Sequence, residues 1–335
     1  MFLNSWSLAL TLCSLIVLTL GLIASRTALR VLLHWNPASD SNQQIRLENE
    51  TWLASTLVVY SLGFQIITLV LFVLAADHYC QVIVGAMCAT GALLANQWGM
   101  PALLVKIGGV FLYGFWIVMH QIDIRSEHYP LVRIKYVYLL LLIPLLFADN
   151  LLQLFYIANL SPDIITSCCA VVFGDSGTDG RNLLAGFDQQ ITLIAHYGLT
   201  GCLIATSALL IRHWQKVLAA VHAAIWVVFF GLALFSIITV FSSYIYAMPF
   251  HNCPFCILKP EYHHIGFALY GSLIVATFFS ISAAAVEPFK NKKGLLSVVG
   301  SYQRQAVIIS LALLIIFTLL SSFHLVLYSI LGGEM

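Results

Sequence analysis

Charge is what this sequence has least of. Fifteen Lys and Arg and fourteen Asp and Glu are spread over 335 residues. That is 9% charged, against about 25% in a soluble domain, and 61% of the chain is hydrophobic. No water-soluble fold hides so much apolar side chain. A formal net charge of +1 leaves no basis for nucleic-acid binding. P-loop, dinucleotide and c-type haem attachment motifs are missing too. No Lys or Arg precedes Arg26, so the positive region of a cleaved signal peptide is lacking, and the first apolar run is expected to remain as a signal anchor.

What the chain has instead is long apolar runs. A span needs about 20 apolar residues, and eight stretches qualify, near 4–25, 52–75, 101–120, 136–160, 190–212, 217–245, 265–286 and 306–330. Backbone polar groups in lipid must be satisfied internally. The expected fold class is therefore all-α: a polytopic, multi-pass membrane bundle of eight transmembrane helices. None of the connections is long enough for a folded soluble domain, so function is expected in the bundle and at its surface.

Lys and Arg are retained on the cytoplasmic side. One set of connections carries twelve of the fifteen basic residues; the other, with the outer half of the third span, carries Lys106, Arg181 and Lys259. Both termini and the connections at 76–100, 161–189 and 246–264 are thus expected outside, as in a bacterial inner-membrane protein.

Six of the eight cysteines fall in those three outer connections: Cys80 with Cys88, Cys168 beside Cys169, and Cys253-Pro-Phe-Cys256. Disulfides persist on the oxidising side of a membrane. Thiols at i and i+3 can close a disulfide or chelate a soft metal, and the thiolate is the reactive form. Pro260 is expected to open the seventh helix, which places Glu261, His263 and His264 in its first turn near the thiols. With His251 and His78 they are candidates for proton transfer. The stretch from Cys80 to Trp98 is too apolar for a solvated loop and is expected to be re-entrant or interfacial, within reach of a quinone headgroup. Bonding the vicinal Cys168-Cys169 pair requires a strained, easily reduced ring.

The two halves share motifs in one order. Leu22-Ile-Ala-Ser25 leads to His34-Trp35, and Leu203-Ile-Ala-Thr206 to His213-Trp214; His78-Tyr-Cys80 matches His251-Asn-Cys253; Tyr113-Gly114 matches Tyr270-Gly271. The expected domains are a first four-helix membrane unit, 1–165, and a second, 166–335. They would form one integrated bundle, a parallel tandem repeat.

Asp149 falls mid-span, where an unpaired charge is costly, and Lys106 on the third span is its candidate partner in a proton path or ligand site. The histidines are numerous enough for a b-type haem, but no spacing singles out an axial pair.

The Pro254-Phe255 insert resembles the glutaredoxin active-site dipeptide over four residues, without a surrounding thioredoxin-like pattern. Cysteine pairs at the outer face of four-helix units are similar in logic to the bacterial disulfide-forming membrane oxidoreductases and the vitamin K epoxide reductase family. The order of pairs differs here, and no residue role is carried over. The leading expectation is a membrane thiol–disulfide redox protein, a candidate oxidoreductase, in which the six outer cysteines exchange electrons with a quinone or an extracytoplasmic thiol protein. The alternatives are copper or mercury binding or transport at Cys253 and Cys256, and a non-catalytic subunit of a membrane complex with structural disulfides.

Overall fold

The computed structural model describes residues 4–36, 41–126, 129–161, 188–248 and 251–331. Among them there is no strand. Eight helical segments are long and apolar enough to cross a membrane, so the chain is an integral multi-pass membrane protein.

The helices are α1 (Ser5–His34), α2 (Asn42–Tyr79), the short α3 (Ala89–Leu94), α4 (Gly99–Asp123), α5 (Val132–Ala158), α6 (Gln189–Arg212), α7 (Lys216–Ser236), α8 (Ser242–Tyr246), α9 (Ile265–Ala285) and α10 (Leu296–Ile330). A π-helical turn, Ile237–Phe241, joins α7 to α8 in one span, Lys216–Tyr246. Three of the spans outrun the hydropathy signal. α1 continues past Ser25 to His34, α2 starts at Asn42, and α10 starts at Leu296. Polar helix formers extend these helices beyond the apolar stretches, and Ser41 caps α2 by accepting from the Gln44 amide.

The chain divides into two compact units. Unit 1 comprises Met1–Val84, Ala92–Ile165 and Phe289–Val299, and unit 2 comprises Gly85–Gly91, Thr166–Pro288 and Gly300–Met335.

In unit 1 the helices close a ring: α1 packs on α2 and α5, and α4 packs on the same two. The buried positions of α1 are Ser7, Leu10, Ser14, Val17, Gly21, Ala24, Ala28 and Val31. They alternate by three and four residues, the seam of left-handed helix packing. Every seventh position, from Ser7 through Ser14 and Gly21 to Ala28, is small, which lets backbones approach where lipid supplies no hydrophobic drive. The opposite face shows Leu12, Leu15 and Ile16 outward, as a bilayer requires. Unit 1 centres on Trp116, Tyr136, Leu139 and Leu142.

In unit 2, α7 packs against α6 and α9. Its buried positions Ala219, His222, Trp226, Phe229, Ala233 and Ser236 keep the same alternation. The π turn then lets Ile237, Val240 and Phe241 all remain buried, an accommodation often found near functional sites. Trp226, Phe229, Phe241, Leu273 and Phe317 form a core that runs to Cys88, Cys253 and Cys256.

Candidate functional site: a buried three-thiol cluster

The loop after α8 begins with Ala247 in the left-handed region, which turns the chain back. Three tyrosines hold the loop in place. Tyr246 donates its hydroxyl to the Cys253 carbonyl, Tyr270 donates to the Pro254 carbonyl at 2.7 Å, and the Tyr262 ring packs edge-on to Tyr246 at 4.6 Å. Cys256–Leu258 forms one 3₁₀ turn. This turn rests on the start of α9 at Gly266. A Cβ there would meet the Ile257 carbonyl oxygen at 2.9 Å and the Leu258 side chain at 2.8 Å, so only glycine admits the loop.

Cys88 comes from the segment Gly85–Gly91, which belongs to unit 2. It immediately precedes α3, whose Ala89, Thr90, Ala92 and Leu93 are buried. Cys88 Sγ lies 3.3 Å from Cys253 Sγ, and Thr90 Oγ1 lies 3.4 Å from the same sulfur. The Lys259 ammonium donates to the Met87 carbonyl at 3.1 Å and ties the two segments together. The sulfurs of Cys88, Cys253 and Cys256 all lie within 4.8 Å of one another, and the three residues are 1%, 0% and 8% exposed.

Hydrogen bonds to Cys253 and Cys88, followed by burial, push the Cys256 thiol above its ordinary range, because each stabilises the protonated form. Burial, then Lys259, holds the His251 imidazole below its usual value against an opposing pull from Cys88. Burial thus favours the neutral imidazole of His251, which lies within electrostatic reach of Cys88.

The structure redistributes the cysteine pairs read from the sequence. Cys88, read with Cys80 in the sequence, lies with the two cysteines of the third cysteine-bearing connection. It joins Cys253 and Cys256 because its flank is anchored by buried α3, while Cys80 Sγ, at the end of α2, donates to the Asp77 carbonyl at 2.8 Å. Among the described residues no two cysteine sulfurs are at bonding distance. Cys168 and Cys169 lie outside the described residues. Pro260 opens a 3₁₀ turn, Pro260–Tyr262, and not α9. His263 and His264 then adopt left-handed backbone and redirect the chain before the helix begins. Glu261, His263 and His264 are exposed, and His264 Nδ1 lies 2.7 Å from the Leu258 carbonyl oxygen. The His78 ring packs on Trp6 at 5.9 Å.

Asp149 and Lys106 meet within unit 1. Lys106 Nζ is 2.9 Å from Asp149 Oδ1, with both side chains 1% exposed. Gln65 Nε2 donates to Asp149 Oδ2 at 2.7 Å, and the buried Tyr113 hydroxyl faces the same carboxylate. A second buried pair between α4 and α5 escaped the sequence reading. Lys135 Nζ donates to Asp123 Oδ2 at 2.8 Å, and Asp123 Oδ1 accepts the Leu131 amide at 2.8 Å. Both residues sit just outside the apolar runs 101–120 and 136–160, where hydropathy assigns them to connections. Their opposite charges at adjacent helix ends were the available signal. Thr90, Tyr246 and Gly266 carried none.

Comparison with protein-family models, curated proteins and solved structures finds no match to this chain. The class the fold defines is a multi-pass helical membrane protein; what it does must be argued from the thiol cluster.

Proposed function

We propose that this protein binds a soft metal ion, of the Cu(I) or Hg(II) kind, at Cys88, Cys253 and Cys256. One observation carries the reading: three buried thiols from two separate chain segments converge within 4.8 Å. Three sulfurs bound to one ion at about 2.3 Å stand about 4 Å apart, so the observed cluster needs only small shifts to become a ligand set. An all-sulfur set selects soft ions over Mg²⁺ or Ca²⁺. Each thiol must lose its proton to bind, and His251 is the local acceptor. The ion would enter past Cys256, the most exposed of the three cysteines. The orientation that supports a scavenging or transport role is the one from the charge pattern, with the cysteine loops and termini extracytoplasmic in a bacterial inner membrane. Two compact units and the recurring motifs support a parallel tandem repeat.

A second reading rests on the shortest sulfur contact. Cys88 and Cys253 at 3.3 Å would form a disulfide of about 2.05 Å by giving two electrons to a quinone or to the disulfide of an external protein, with release of two protons. Burial of all three sulfurs and the adjacent third thiol place this reading second.

The test is anaerobic purification followed by Cu(I) titration and thiol trapping. One tightly bound ion per chain, lost in Cys253→Ser, supports the metal reading. Absence of binding, with a trapped Cys88–Cys253 disulfide that quinone forms and dithiol reverses, replaces it with the redox reading.

A further inference from the structure

We infer that unit 1 carries a binding site for an anionic phospholipid in the cleft between α1 and α2. On α1, Arg26, Arg30 and His34 recur every four residues and so share one face. On α2, Arg46 and Glu50 recur likewise, followed a turn or two on by Leu53, Ala54 and Leu57. Two cavities open along these faces. The first, of about 380 Å³, is lined by Arg30, His34, Arg46 and Glu50. The second, of about 240 Å³, is lined by Arg26, Arg30 and Glu50 together with Ile23, Ala24, Leu53 and Leu57. They share Arg30 and Glu50, so a polar chamber continues into an apolar groove.

The charges do not balance. Among the described residues three guanidiniums line the cleft against one carboxylate, and Glu50 is already held by Arg30 at 2.9 Å. Glu48, the next acid along α2, accepts from Gln44 at 2.9 Å. Arg26 and Arg46 have no carboxylate partner among the described residues. Guanidinium pairs phosphate in bidentate geometry, and basic pockets between transmembrane helices hold anionic headgroups. The adjoining groove gives an acyl chain a place beside its headgroup, which a free phosphate would not use. The site is the same whichever leaflet this end of the helices occupies.

The full-length protein, reconstituted in phosphatidylcholine nanodiscs with and without phosphatidylglycerol, tests this by native mass spectrometry of the lipids it retains. The wild type should retain phosphatidylglycerol over phosphatidylcholine, and R26Q/R46Q should lose that preference by about an order of magnitude. R26K/R46K should keep part of it, and 10 mM inorganic phosphate, as a probe, should not displace the lipid. No preference in the wild type overturns the site even if the glutamine variant fails to fold. An unchanged preference in folded R26Q/R46Q overturns it, and full displacement by phosphate reassigns the cleft to the free anion and overturns the lipid assignment.

Discussion

Cys88 Sγ and Cys253 Sγ lie 3.3 Å apart although 165 positions separate them in the chain. Cys256 completes the cluster from one turn further along the same loop. This convergence of buried thiols underlies the proposed metal site, and its consequences can be measured.

Replacement of any one of Cys88, Cys253 or Cys256 by serine should cost at least tenfold in Cu(I) affinity, since a thiolate ligand is lost. Cys80→Ser should leave affinity within about twofold, because Cys80 donates to the Asp77 carbonyl. Competition titration against a chromophoric chelator measures both. Equal losses at Cys80 and Cys88 would contradict the assignment of the cluster.

Metal affinity should rise with pH. The Cys256 thiol is held above its ordinary range by its sulfur neighbours and by burial, which favours its protonated form. Binding then displaces protons, and apparent affinity gains about tenfold per pH unit for each proton released. Titrations between about pH 6 and 8 should show affinity falling as the solution is acidified. A flat profile would mean that the thiols are not the ligands.

Gly266→Ala should weaken metal binding without unfolding the spans. The added Cβ would press on the Ile257 carbonyl and side chain and shift the turn that carries Cys256. Overpacking of this kind costs about 1–3 kcal/mol. Helical circular dichroism should be unchanged while affinity falls, and unchanged affinity would show that the loop does not depend on this contact.

The Lys106–Asp149 pair predicts a strong asymmetry. Removing one partner, as in Lys106→Met or Asp149→Asn, leaves the other charge or its hydrogen-bond partners stranded, at a cost of about 3–5 kcal/mol. The double variant Lys106→Met/Asp149→Leu should recover much of that loss. Thermal unfolding in detergent arranged as a double-mutant cycle reads this directly, and additive losses would mean the pair is not coupled. Metal binding should be untouched in every arm.

Much of the architecture was legible, because hydropathy reports directly on the bilayer. Eight runs predicted eight spans, and among the described residues eight helices are long and apolar enough to cross a membrane. The helix ends were not legible. Arg26 and Arg30 on α1, and the polar stretch from Asn42 to Glu50 on α2, end the apolar signal while the helix continues. The π turn at Ile237–Phe241 carries neither Pro nor Gly and left no mark in the sequence.

The site was half legible. The Cys253-x-x-Cys256 spacing marked two of the three thiols. Cys88 was visible but paired with its near neighbour Cys80, because proximity in sequence says nothing of the buried α3 that directs Cys88 toward Cys253. Asp149 stood out as a charge in an apolar run, and Lys106 as its partner. Gln65, which also binds Asp149, is an ordinary polar residue until the ring brings its side chain across to α5.

X-ray absorption spectroscopy of the Cu(I)-loaded, full-length protein tests the central claim most directly. The account predicts one ion per chain with three sulfur scatterers at about 2.3 Å, and loss of that sulfur shell in Cys88→Ser. A shell of nitrogen and oxygen, or a sulfur shell unchanged in Cys88→Ser, would contradict it.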